Sequence, residues 1–189
     1  MERRDVAQTT EFLPNNHLGS FGAIWQSAVV REVTDIVETV IAEFEQLHVR
    51  LRREVDGLDN AVLAWLPGPE MNSISTIVIH LLGSEAELLR LASGVSAARN
   101  RDAEFTTPPE GSGSLIDRIT EADRLLEEVA PALHQADLFA TFVRPSAVRN
   151  REPRPTLFWL LNGYGHGREH LAQIQMTRQM YDSWVQGSK

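Results

Sequence analysis

The sequence predicts an all-α fold, a four-helix bundle of up-down-down-up topology with long connections after its second and third helices. Three observations point there. Apolar residues recur at spacings of three and four along four long segments, as they do on amphipathic helices. Clusters of Pro and Gly separate those segments, and none of them alternates in the manner of a core strand. The chain, 189 residues with 42% hydrophobic and 23% charged, has the size and composition of one globular domain with its own core.

Residues 1–24 contain Pro14, Asn15, Asn16, Gly19 and Gly22 without sustained periodicity, and read as an N-terminal extension before a bundle domain at 25–186. Phe21, Ile24 and Trp25 could pack that extension onto the body. The first helix falls at about 31–56, where Val33, Val37, Val40, Phe44, Leu47, Leu51 and Val55 form one stripe and Gly57 suits the stop. Pro67-Gly68-Pro69 then breaks the chain. Asn72 or Ser73 can cap a second helix, 73–93, by accepting from free backbone N–H groups. The turn-rich stretch that follows is about twenty residues long. That is enough to carry the chain back along a bundle, so helices two and three should run the same way.

The third helix is expected at 114–134, with Leu115, Ile119, Ala122, Leu125, Leu126, Val129 and Leu133 on one stripe and Ser114 as cap. Pro131 should end or kink it. Residues 135–155 hold Pro145, Pro153 and Pro155 around the alternating Leu138–Val143 run and suggest a short hairpin. Thr156 opens a fourth helix that continues to about 184.

A formal charge of −8 gives a field repulsive to phosphate backbones, which argues against nucleic-acid binding. No apolar run approaches the roughly 20 residues a bilayer span needs, and the first residues lack an export-type apolar stretch. A cytoplasmic protein free of membrane is therefore expected. With no cysteine, disulfides, thiolate-held zinc and a cysteine nucleophile are excluded, so any metal must be held by nitrogen or oxygen.

That leaves the six histidines. His166 and His170, four apart on a helix, leave the same face about one turn from each other and can grip one ion, though such pairs also arise by chance. Gly163, Gly165 and Gly167 crowd the same helix, where each costs about 1 kcal/mol relative to alanine. Their missing side chains could admit a neighbouring helix, a metal or a substrate. His80, flanked by Ile77, Val78, Ile79, Leu81 and Leu82, belongs at or near the core. Alone it would be an ordinary hydrogen-bonded core histidine; with the pair it makes a three-imidazole site lacking a fourth ligand, the form of catalytic rather than structural zinc. His48 reads as a boundary residue beside the first stripe, His17 lies in the turn-rich start, and His134 suits the dipole at the end of helix three.

Two segments together resemble the DinB/YfiT-like superfamily over roughly residues 31–184. LAWLPGPEMNSISTIVIHLLGSEAELL is similar to that family's Trp, Pro-Gly and Asn-Ser-Ile approach to its second helix, with the metal histidine matched by His80. HGREHLAQIQMTRQM is similar to its fourth-helix pattern of two histidines four apart followed by a Gln, matching His166 and His170. The resemblance implies a site for a divalent transition metal, zinc or nickel, and an activity among metal-dependent S-transferases and isomerases using low-molecular-weight thiols, or hydrolases, on a small-molecule substrate. It also leaves room for a non-catalytic, stress-related bundle protein whose site is structural or vestigial. A homodimer is expected from the resemblance and from the apolar and aromatic residues near 21–25 and 158–164.

Two further features bear on such a site. Arg144, Arg149, Arg151 and Arg154 surround Glu152; overhanging a metal they could hold the carboxylates of a thiol or an acidic substrate, and otherwise they form a solvated loop. Glu87, one heptad after His80, could orient a ligand or act as base, the bland alternative being a surface carboxylate.

Overall fold

The structure, a computed structural model, describes residues 18–146 and 150–187, with side chains from residue 36 onward. In chain order the elements are α1 (Leu18–Val55), α2 (Asn60–Ala64), α3 (Ile74–Ala92), α4 (Arg101–Thr106), α5 (Ser112–Gln135), β1 (Thr141–Phe142), β2 (Arg154–Pro155) and α6 (Thr156–Gly187). The described residues are all-α apart from one small ribbon, in which β1 and β2 pair antiparallel with Thr141 opposite Pro155 and Phe142 opposite Arg154. Among the described residues no helix is long and apolar enough to cross a membrane.

Each stripe expected from periodicity is buried where its side chains are described. Val37, Val40, Phe44, Leu47, Leu51 and Val55 of α1 face Leu115, Ile119, Leu125, Leu126, Val129 and Leu133 of α5 and the apolar residues of α3 in one continuous core. Val33 lies outside the described side chains. The helix ends follow local chemistry. Gly57 and Gly94, just past α1 and α3, take positive φ (68° and 78°), which L side chains resist. Ser73 caps α3 by accepting from Thr76 N at 3.2 Å.

Other boundaries differ from expectation. The backbone is already helical at Leu18, inside the stretch read as an extension; two glycines at about 1 kcal/mol each do not break a helix that continues for 38 residues. The expected packing of Phe21, Ile24 and Trp25 lies outside the described side chains. The cap of α5 is Gly111 rather than Ser114, whose hydroxyl donates to Glu110 Oε2 at 2.7 Å. Pro131 sits inside α5, which runs on to Gln135. The short helices α2 and α4 are too brief to display a 3.6-residue period and were expected as loop.

The long helices pack α1 on α5 and α6, and α3 on α5 and α6. Between α1 and α5, Ser112 Oγ donates to Val55 O at 2.8 Å and His48 meets Asp123 at 2.7 Å. Glu110 N, just ahead of α5, donates to Ser75 Oγ near the start of α3 at 2.7 Å. Between α1 and α6, Phe44 stacks edge-on to Tyr164, and Gln175 donates to Glu54 at 2.8 Å. A Cβ on Gly163 would collide with Leu88, and one on Gly167 with Leu47. Those two glycines serve the close approach of α6 to α3 and α1, which justifies their cost in helix propensity.

His48 is not a boundary residue. It is fully buried, with Nε2 2.7 Å from Glu85 Oε1 of α3 and Nδ1 2.7 Å from Asp123 Oδ1 of α5, and Arg52 also pairs with Asp123. Burial alone would lower its pKa, but hydrogen bonds and charge from Glu85 and Asp123 outweigh that and raise it. A folded-state pKa above the unfolded value contributes stability that is fully present below about pH 6.5 and lost as pH rises through the raised value. Thermal melts should therefore show Tm falling on the alkaline side, with a smaller fall in His48→Gln; parallel profiles for the two proteins would contradict this.

Candidate metal centre

His80 stands in the second turn of α3, and His166 and His170 stand one turn apart on α6. The rings meet edge-on, and the local sequence lets the helices approach: Gly163 and Gly167 flank His166 at the spacing that brings α6 down onto Leu88 and Leu47. One ligand nitrogen from each of the three histidines lies within 4.8 Å of the others. His80 is buried and the other two are half-buried. Ring centroids are 5.5 Å apart for His80–His166, 5.1 Å for His80–His170 and 4.3 Å for His166–His170.

Hydrogen bonds choose the nitrogens. His80 Nδ1 lies 2.9 Å from Glu104 Oε2, and His170 Nδ1 lies 2.8 Å from Gln173 Oε1. An oxygen acceptor places the proton on each Nδ1 and leaves the Nε2 lone pair free. His170 Nε2 then faces His166 Nε2 at 3.0 Å. Two imidazoles on one zinc at about 2.0–2.1 Å with a tetrahedral angle would sit about 3.3 Å apart, so this pair needs little adjustment to share an ion. Burial, then the other charges nearby, pushes the His166 pKa down to about 3. Burial lowers His170 as well. Both rings are thus neutral at neutral pH, the form that ligates a metal.

Glu104 was not singled out from the sequence. It sits on α4, and Arg99 grips it with two bonds, Nε to Oε1 and NH2 to Oε2, each 2.7 Å. Burial would raise its carboxyl pKa, but the hydrogen bonds from Arg99 and His80 hold it below the usual range. Space for it comes from Gly83, three residues after His80, where a Cβ would strike the carboxylate. One signal was legible: Asn100, Asp102 and Glu104 form a helix start, and Asn100 Oδ1 does accept from Ala103 N at 3.1 Å. Nothing local says that this helix folds over His80.

Glu87 and Arg144 also depart from their bland readings. Glu87 is 9% exposed, and its Oε2 accepts from Arg144 Nε at 2.9 Å and Arg99 NH1 at 3.4 Å; it braces arginines rather than a histidine. Arg144 is buried and donates through NH2 to Ser84 O at 2.6 Å and Ser84 Oγ at 2.8 Å. The basic run therefore divides. Arg144 and Arg151 line a cleft with His80 and His166, Arg154 lies over Phe158, and Arg149 is outside the described residues. That cleft has a volume of about 960 Å³ and gives access to His80 and His166. His134 falls in the last turn of α5 as expected, and His17 lies outside the described residues.

An all-α protein in which three histidines from two helices meet at the wall of a cleft is the class that fold and site define. The profile of the DinB superfamily matches residues 43–174, a span that contains all three histidines and Glu104. The chain belongs to the DinB superfamily. None of the curated proteins matches it.

Proposed function

We propose that this chain is a divalent-metal-dependent enzyme in which His80, His166 and His170 hold one zinc or nickel ion and a small-molecule thiol or water is activated beside them. The observation that carries the reading is the approach of the three ligand nitrogens to within 4.8 Å at the wall of an open cleft. Among the described residues no carboxylate joins that group, which leaves at least one coordination position for water or substrate. When bound, such an ion lowers the pKa of water to about 7 and favours thiolate over thiol.

The protein's own residues have separable tasks in this reading. Glu104 and Gln173 hold the His80 and His170 rings in the ligating tautomer, and the cleft orients the substrate. With no cysteine in the chain, a thiol nucleophile must arrive as a cosubstrate. Thiol transfer to a small electrophile is the favoured reaction, and hydrolysis the second. Zinc- or nickel-loaded protein should accelerate displacement of chloride from chlorodinitrobenzene by glutathione or another low-molecular-weight thiol, forming the aryl thioether and releasing chloride and a proton, above the uncatalysed rate, and His166→Ala should not. Metal-replete protein that turns over no thiol or ester in a broad panel would instead support a structural or vestigial site.

We also propose that α1, α3, α5 and α6 form an up-down-down-up four-helix bundle. Support comes from the pairs Val55–Ser112 and His48–Asp123, which run oppositely in number, and Phe44–Tyr164 and Glu54–Gln175, which run together. A cytoplasmic homodimer completes the proposal; Phe158 and Leu161 are 44% and 53% exposed on α6 and are suited to such a contact. Light scattering giving a monomer at every concentration would rule the dimer out.

A further inference from the structure

Arg144 is only 3% exposed, yet part of its guanidinium is unused. Nε is spent on Glu87, and NH2 on the carbonyl and hydroxyl of Ser84. NH1 makes no hydrogen bond with any described residue, and it is not among the polar atoms sealed from solvent. Since Arg144 lines the cleft, the solvent that NH1 reaches is the cleft itself. Three bonds at its back fix the side chain before any ligand arrives, so little rotamer entropy remains to be lost on binding.

The surrounding charge has the same sense. Arg99, Arg101 and Arg151 share this wall with Arg144, four of the 18 basic residues gathered at one opening of a chain whose net charge is −8. Glu87, the acid nearest Arg144, is already engaged by two arginines. Asp102 and Glu169 also line the cleft and disfavour two charges concentrated on one group, as in a phosphate dianion. One fixed N–H₂ edge with its charge intact suits a singly charged carboxylate group.

We propose that the cleft captures a substrate or cosubstrate by its carboxylate, with Arg144 NH1 as the fixed donor, leaving the remainder of the molecule beside His80 and His166. The orientation rests on the reading of the histidines as the reactive centre; the anion site does not, and it can be tested without metal.

The probe is succinate, with uncharged succinamide as control, titrated by NMR into metal-stripped and into zinc-loaded protein. Expected is saturable succinate binding to both forms, amide shifts at Ser84, Glu87, Arg144 and Gly165 but not at Met176–Trp184, and no shifts with succinamide. Arg144→Gln should weaken binding about 10- to 100-fold, as loss of a charged hydrogen bond does, while Arg178→Gln, a charge change paired with Glu54 elsewhere on α6, should not. Should Arg144→Gln fail to fold, the wild-type shift map decides alone: shifts absent from the cleft, or equal with succinamide, overturn the proposal. Binding seen only with zinc and undiminished in Arg144→Gln would assign the carboxylate to the ion and likewise overturn it. Protein that binds no metal but loses succinate with Arg144→Gln would sink the metal reading and leave the anion site standing.

Discussion

His166→Ala is expected to lower metal affinity by several orders of magnitude while leaving the protein folded. The ring is one of only three proposed ligands and directly faces His170 Nε2 at 3.0 Å. Each of His80→Ala and His170→Ala should do the same, whereas His134→Ala, in the last turn of α5, should have no effect on metal. Folding should survive because the apolar core from Val37 to Ile174 is extensive without the site. Chelator competition and far-ultraviolet circular dichroism on the same samples read both halves. Unfolding of all three variants would make the site structural, and retention of metal by His80→Ala would remove α3 from the ligand set.

The second large effect is at Glu104, which touches no proposed ion. Glu104→Ala should weaken metal binding about 10- to 100-fold by releasing the His80 ring from the tautomer that presents Nε2. It also leaves Arg99 without its main partner beside His80. Glu104→Gln should recover part of the loss, since an amide oxygen can still accept from Nδ1, although Arg99 then lacks a counter-charge. A purely structural role would instead lower Tm with unchanged affinity. The pH dependence of metal release separates the two: a positioning role shifts the release curve toward neutral pH in Glu104→Ala.

The parts of this arrangement that were legible in the sequence are those encoded by local periodicity. The stripe Val37–Val55 and the stripe Leu115–Leu133 specify which faces are buried, and His166 and His170 specify a shared face because one helical turn separates them. His80 was legible as a core residue, and as a ligand candidate through the presence of the His166 and His170 pair and the resemblance that joined it to them. What escaped depends on tertiary approach. Glu104 reaches His80 from 24 residues away through a helix too short to show a period. Arg144 reads as a loop arginine until the chain folds it against Ser84 and Glu87, about 60 positions distant. His48 looked peripheral because its partners, Glu85 and Asp123, come from two other helices. Gly163 and Gly167 were conspicuous, but only the packed neighbours Leu88 and Leu47 decide that they serve close helix approach.

The most direct test of the three-histidine centre is elemental analysis of the untagged protein, purified without chelators. The proposed site predicts close to one divalent transition metal per chain, lost together with any one of His80, His166 or His170. Protein that carries no metal and takes up neither zinc nor nickel when they are supplied would contradict it.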